Sequence, residues 1–405
     1  MIRAVLFDLD DTLLRLSTDA FSRKYIAALG GALMAAHPTI TPEAFQGAVR
    51  GSIKLTAANT DPTRTNGENM NAAFASALAL SEAEIASAFH SFYGSQYAGL
   101  RAEADPMPGA RELVATLTGE GYTVVVATNP VFPRGPVMER LRWAGFDTEA
   151  LPFAWVTTMD NMHFIKPTPH YYEEILARVG VEAEDALLVG DDLNNDILPG
   201  VAAGLATYWI NQEMPAPPDG YHPDAHGSMN ALADRVRNGW LRELAPRSRT
   251  TAQVAPRMLG NLAALDGLAR ELQPAMWTLR PFPEEWTALE LVQHLLEWET
   301  RVQRAQILRT LDEDNPFLPP TPPPPGPNTR DLSARVGSQV LAEFFAARRE
   351  TLALLANLMP EQWARPARHA LFGPVTVLEL AHFTARHDRL HINQLCELVG
   401  ACRSV

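Results

Sequence analysis

The chain has 405 residues, 46% of them hydrophobic and 20% charged, which excludes a disordered or collagen-like polymer and suits two or three domains of ordinary size. Its net charge of −13 argues against a nucleic-acid partner, because backbone binders need a positive surface to displace counterions. Of that charge, −12 falls on residues 1–214, where 26 acids face 14 Lys and Arg, and the chain's only lysines are Lys24, Lys54 and Lys166.

The stretch Met1–Asp8 carries only a short apolar run before its first acid, unlike a signal peptide. No uninterrupted apolar run is long enough to span a bilayer. Cys396 and Cys402 are too few for a disulfide framework. These features predict a soluble, cytoplasmic protein with no membrane partner.

Short apolar runs at 4–10, 122–129, 153–158, 185–192 and 205–211 alternate with helical patterns such as 109–121 and 169–180. That alternation predicts an α/β, Rossmann-like parallel sheet over residues 1–214. The rhythm breaks after the first run, where residues 15–105 carry helical patterning, as in 21–37, 41–55, 68–80 and 81–97. This segment reads as an inserted helical cap. Residues 215–250 open on a stretch rich in Pro, Gly and Asp and read as a linker with a connecting helix around Trp240. Residues 251–405 carry four long amphipathic patterns, at about 251–273, 284–311, 331–357 and 375–399, and predict an all-α four-helix bundle. Residues 317–328 interrupt it with seven prolines. They read as a semi-rigid loop joining the second and third helices, the alternative being a ligand for a Pro-recognising partner.

Chemistry concentrates where the predicted strands end. The first gives Asp8-Leu9-Asp10-Asp11-Thr12, and alternation puts Asp8 and Asp10 on one side of it. The second ends in Thr128 and Asn129, a hydroxyl and an amide that can hold an oxyanion. Lys166-Pro167 stands just before a helix, and the fourth strand runs into Gly190-Asp191-Asp192-Leu193-Asn194-Asn195-Asp196. The carboxyl ends of parallel strands are where open α/β sheets carry their sites, and clustered acids there need a positive partner.

In this order the motifs DLDDT, VVVATN, KPTPHYY and VGDDLNND resemble those of the haloacid dehalogenase (HAD) superfamily over residues 1–212. The insertion is similar to the helical cap of its phosphoglycolate-phosphatase-like branch. The resemblance implies a phosphatase in which Asp8 is the nucleophile and forms an aspartyl-phosphate. It implies Mg²⁺ held by Asp8, the backbone carbonyl of Asp10 and Asp191, with Asp196 acting through water or orienting Asp191. Asp10 would be general acid and base, Thr128 and Asn129 would bind phosphate oxygens, and Lys166 would offset the transferring charge. An acid at position 10 favours a phosphatase over a dehalogenase, since a departing halide needs no proton. Asp11 and Asp192 are read as outside the chemistry.

In the second half, His387 and His391 are four residues apart, hence on one face of one predicted helix. A third histidine from a facing helix would complete an open three-ligand site. The segments Trp286-Thr287-Ala288-Leu289-Glu290, HLLEWE (294–299) and HDRLHINQL (387–395) resemble the second and fourth helices of the DinB/YfiT-like family, over residues 250–400. That family implies a four-helix bundle with a three-histidine metal site, here His294, His387 and His391, holding a divalent transition metal, Zn or Ni. His382 is read as packing or as a support behind the metal ligands, and Cys396 as core.

The whole predicts a Mg²⁺-dependent phosphomonoester hydrolase acting on a small phosphorylated metabolite, fused to a metal-binding bundle. One alternative makes the bundle the principal activity, a metal-dependent transferase using a low-molecular-weight thiol. Another makes it a non-catalytic docking module or the seat of a homodimer.

Overall fold

In the computed structural model, which describes residues 1–150, 152–213 and 216–403, the run Ala4–Phe7 is buried on both faces at the centre of a six-stranded sheet. The strand order is Trp155–Val156, Thr123–Val126, Ala4–Phe7, Ala186–Gly190, Ala206–Ile210, Ala225–Gly227, and every neighbouring pair is parallel. Continuous apolar runs such as Val124–Val126 and Leu187–Val189 suit strands covered on both faces by helices. Phe7 stands opposite both Val126 and Val189, so Asp8, Thr128 and Asp191 leave the sheet at one edge. The chain departs from the central strand to both sides, which makes that edge the topological switch point.

The insertion is closed at its base by a two-stranded antiparallel ribbon of Leu14–Leu16 and Ala104–Pro106. Between them lie the helices Thr18–Ala36, Pro42–Ala57, Asn66–Leu78 and Glu82–Ser95. Thr65 with Glu68 and Ser81 with Glu84 form capping boxes that fix where the last two begin.

Residues 215–250 depart from the linker reading. Ala225–Gly227 adds the sixth strand, and Ser228 caps a helix over Met229–Arg237. Met229, Leu232, Val236 and Leu241 are buried in the core of the first unit. Arg247 bonds the Leu205 carbonyl and Asp224, so the division between the two compact units falls at Ser248 and Arg249. A three-residue edge strand is too short to show alternation, and its Pro, Gly and Asp neighbours look like a loop.

The second unit contains four long helical stretches: Val254–Arg270, Ala288–Asp312, Gly337–Ala356 and Val377–Cys402. The second is interrupted at Glu299–Gln303 by one π-helical turn. Val254–Arg270 packs on Val377–Cys402, and Ala288–Trp298 on Gly337–Ala356. A small sheet of Phe317–Leu318, Pro366–His369 and Gly373–Thr376 was not expected from the helical pattern. The proline-rich run begins inside it, and Pro319 and Pro320, which have no N–H, end the strand. Deep in the bundle, Arg348 bridges Glu299 (2.8 Å) and Asp388 (2.5 and 3.0 Å), and all three are essentially inaccessible. Thr351 donates to the same Glu299.

No single helix among the described residues is long and apolar enough to cross a membrane.

Candidate functional site

The residues singled out in the first half all line one open cavity of about 450 Å³ at the carboxyl edge of the sheet. Asp8 follows the central strand and is held by its backbone N–H to Val189 O (2.9 Å). Lys166 reaches between Asp8 and Asp196, with Nζ 2.6 Å from an oxygen of each. Tyr172 donates to Asp196 (3.2 Å) and to the Asn195 carbonyl (2.8 Å). Thr12 donates to Asp191 (3.4 Å), and the Trp209 indole N–H holds the Asp191 carbonyl (2.7 Å). The Thr128 carbonyl accepts from Thr157 (2.8 Å) and Tyr171 (2.7 Å), which fixes the loop that presents Thr128 and Asn129. A Cβ on Gly190 would lie 2.3 Å from an Asp196 carboxylate oxygen, so glycine is required where strand and acid loop meet.

Asp11 and Asp192 have local roles. Asp11 adopts a left-handed conformation (φ 58°) and accepts from Leu16 N, shaping the turn into the cap. Asp192 accepts from Asn194 N (2.7 Å) and Asn195 N (3.0 Å) at the start of a helical turn.

Negative charge dominates this site. Burial pushes the Asp8 carboxyl up to about 7, against the pull of Lys166 and with further push from Asp196 and Asp10. Burial likewise pushes Asp191 up to about 8, reinforced by Asp8 and Asp196. Burial lowers the proton affinity of Lys166, but Asp196 and Asp8 outweigh it and hold the ammonium well above its usual range. One lysine does not neutralise three converging carboxylates. Asp8, Asp191 and Asp196 each present an oxygen within 4.8 Å of the others, a hard-donor set that suits a divalent cation such as Mg²⁺.

Asp10 is placed differently from its neighbours. Its side chain forms an ion pair with Arg140, which is only 1% exposed and comes from the helix Arg134–Trp143. Burial raises the Asp10 carboxyl, and Arg140 opposes that rise. Nothing in the sequence marked Arg140, Tyr172 or Trp209 as parts of this site. Arg140 lies 130 positions from its partner along the chain.

In the bundle, the three expected histidines converge. The Nε2 of His387 lies 3.2 Å from the Nε2 of His294 and 3.2 Å from that of His391. Nitrogens about 2.1 Å from one tetrahedral ion would stand roughly 3.4 Å apart, so the spacing fits a shared metal. Burial pushes His294 down to about 3 and His387 to about 2, with His391 adding to both shifts, so both are neutral at neutral pH. His391 Nδ1 contacts Gln394 (2.7 Å), which orients that ring. Trp298 stacks on His387 at 5.1 Å and Trp286 on His391 at 5.7 Å. The proline-rich segment folds back here: Pro325 O accepts from Trp286, and Pro324–Pro327 wall a cavity of about 310 Å³ that reaches His391. A second cavity of about 130 Å³ reaches His387. His382 stands apart, with Nε2 3.2 Å from Thr250 O. Cys396 is half-buried and Cys402 buried, and neither is in a disulfide.

The haloacid dehalogenase-like hydrolase family matches residues 2–204, and the DinB superfamily matches residues 259–395. The chain is 30% identical over 216 residues to a glyceraldehyde 3-phosphate phosphatase of Methanothermobacter thermautotrophicus, covering 53% of this chain and 88% of that protein. It is 33% identical over 132 residues to a phosphoglycolate phosphatase of Rhodospirillum rubrum, a third of this chain (33%) and about half of that protein (49%). Among solved structures, YfiT from Bacillus subtilis aligns with 38% of the chain and 91% of its own at 19% identity and a TM-score of 0.33.

Proposed function

Since the chain belongs to the haloacid dehalogenase-like hydrolase family through residues 2–204, we propose that its acidic cavity hydrolyses the phosphomonoester of a small metabolite by way of an aspartyl-phosphate on Asp8. The enzyme is a hydrolase of the phosphatase kind, as the relatives named above are. The observation that carries the mechanism is the convergence of Asp8, Asp191 and Asp196 on Lys166, beside Thr128 and Asn129 at the switch point.

Asp8, Asp191 and the Asp10 carbonyl would hold Mg²⁺, with Asp196 acting through water or by orienting Asp191. The ion supplies charge neutralisation that lets a carboxylate approach a phosphate dianion. The Asp8 carboxylate attacks phosphorus, and Asp10 gives its proton to the departing alkoxide. Asp10 then takes a proton from the water that attacks phosphorus of the acyl-phosphate, the bond from the Asp8 oxygen to phosphorus breaks, and inorganic phosphate leaves with the Asp8 carboxylate restored. Thr128 and Asn129 donate to the phosphoryl oxygens through hydroxyl and amide, and Lys166 offsets their charge. The ion pair with Arg140 fixes the direction of the Asp10 carboxyl.

Purified enzyme should release phosphate from members of a phosphorylated-metabolite panel with Mg²⁺. Release should stop on adding chelator and return with excess Mg²⁺. Turnover unaffected by chelator would overturn the metal assignment.

For the bundle, the 3.2 Å spacing of three neutral imidazoles supports a divalent transition metal, Zn or Ni, at His294, His387 and His391. Elemental analysis should find about one such ion per chain. His294→Ala should lower that occupancy about tenfold or more. Equal metal content in both proteins would exclude the site.

A further inference from the structure

We propose that the cap seats a compact apolar, ring-sized group of the substrate's alcohol in a second cavity beside the acidic one, an inference that rests on the phosphomonoesterase reading above. This cavity has a volume of about 140 Å³, and Tyr25, Met70, Phe74, Phe89, Tyr93 and Phe132 are among the largely apolar side chains that line it. An apolar cavity of about 150 Å³ stays dry and accepts benzene, so the space and its lining suit one six-membered ring or a branched alkyl group of that bulk. The Tyr25 and Tyr93 hydroxyls bond each other (2.7 Å) and leave their rings as the surface on offer.

Two observations join this cavity to the chemistry. Ser17 lines the acidic cavity and Ser22 the apolar one, and both belong to the start of the helix Thr18–Ala36. Five residues of helix separate them by roughly 7–8 Å along the axis. On the other side, Asp10 is paired with Arg140, whose guanidinium lies 4.3 Å from the centroid of the Phe132 ring. Phe132 in turn packs on Tyr25 at 4.9 Å. The carboxyl that protonates the leaving oxygen is thus one guanidinium away from the apolar wall. An alcohol leaving toward Asp10 carries its carbon skeleton in that direction, and a tether of about two or three carbons would cover the helix spacing just given. Apart from the paired tyrosine hydroxyls its polar side chains are Ser22, Ser52 and Asn71, too few to replace the hydration of a charged or polyhydroxylated tail.

The test measures kcat/KM of the full chain, with Mg²⁺, for methyl, benzyl, 2-phenylethyl and 3-phenylpropyl phosphate. These alcohols differ little as leaving groups, so the ratios report how the tail is received. At least one phenylalkyl ester should exceed methyl phosphate by about tenfold or more. Ser52→Leu places a larger side chain at the cavity wall and should reduce that preference by about tenfold. An unchanged thermal midpoint would show that the variant remains folded. The wild-type series stands alone if the variant does not fold. Equal rates for all esters, or a preference that survives Ser52→Leu in folded protein, would overturn the inference and leave the phosphatase standing. Failure to hydrolyse any phosphomonoester would instead overturn the phosphatase reading and this inference with it.

Discussion

Asp8→Asn is expected to lower phosphomonoester turnover by about 10³-fold or more while leaving the fold intact. The amide has the size of the carboxyl and can still accept from Lys166, so the loss would be chemical. An amide oxygen does not form the acyl-phosphate, and the neutral side chain is a poorer ligand for a hard cation. Steady-state assays on the best ester from the metabolite panel measure the effect. Turnover within tenfold of wild type would exclude an aspartyl-phosphate on Asp8.

The same substitution separates chemistry from stability. In the folded protein the Asp8 carboxyl is raised from an ordinary value near 3.8 to about 7, with burial as the main cause. A group raised in this way stabilises the fold at low pH and withdraws that contribution as pH rises from about 4 to about 7. At neutral pH, metal-free wild type therefore carries an unfavourable charge that Asn lacks. The metal-free variant should melt at or above the wild-type temperature, and added Mg²⁺ should raise the wild-type midpoint more than the variant's. A variant that melts well below wild type would attribute its inactivity to unfolding.

The acidic site was legible because parallel sheets deliver their loops to one edge. Asp8, Thr128, Asn129, Lys166 and Asp191 each sit at or soon after a run that reads as a strand, in an order that admits little else. The two histidine-bearing segments were legible by their own spacing and neighbours. What escaped lies in side chains whose meaning is only three-dimensional. Arg140 is an unremarkable arginine in a short helix until Asp10 is placed against it. Tyr172 and Trp209 belong to runs that read as core, yet their polar tips hold the acid loop. The strands Ala225–Gly227 and Phe317–Leu318 are two or three residues long, below the length at which period-two alternation can be seen. Glu299 and Asp388 stand inside helical segments where nothing local shows that they pair with Arg348, 49 and 40 positions away.

That buried pair leads to the second large effect. Arg348→Met should destabilise the bundle by about 3–5 kcal/mol, because it leaves Glu299 and Asp388 buried without their shared cation. Arg348 is fully enclosed and makes three hydrogen bonds to these acids. Methionine fills much of its volume, so the loss reports charge rather than a cavity. Burial already raises Asp388, and Arg348 is the strongest influence holding it down. Without the guanidinium, Asp388 gains proton affinity in the folded state, so the deficit should be smaller at pH 5 than at pH 8. Urea unfolding of the full chain, followed by helical signal at both pH values, measures this. A deficit below about 1 kcal/mol, or one that grows toward low pH, would mean that the acids find other partners. The consequence reaches the three histidines. Glu299 follows Trp298, which stacks on His387, and Asp388 follows His387 itself. Arg348 therefore ties together the two helices that present the histidines, and the variant should bind the proposed divalent metal more weakly although none of the three histidines has changed.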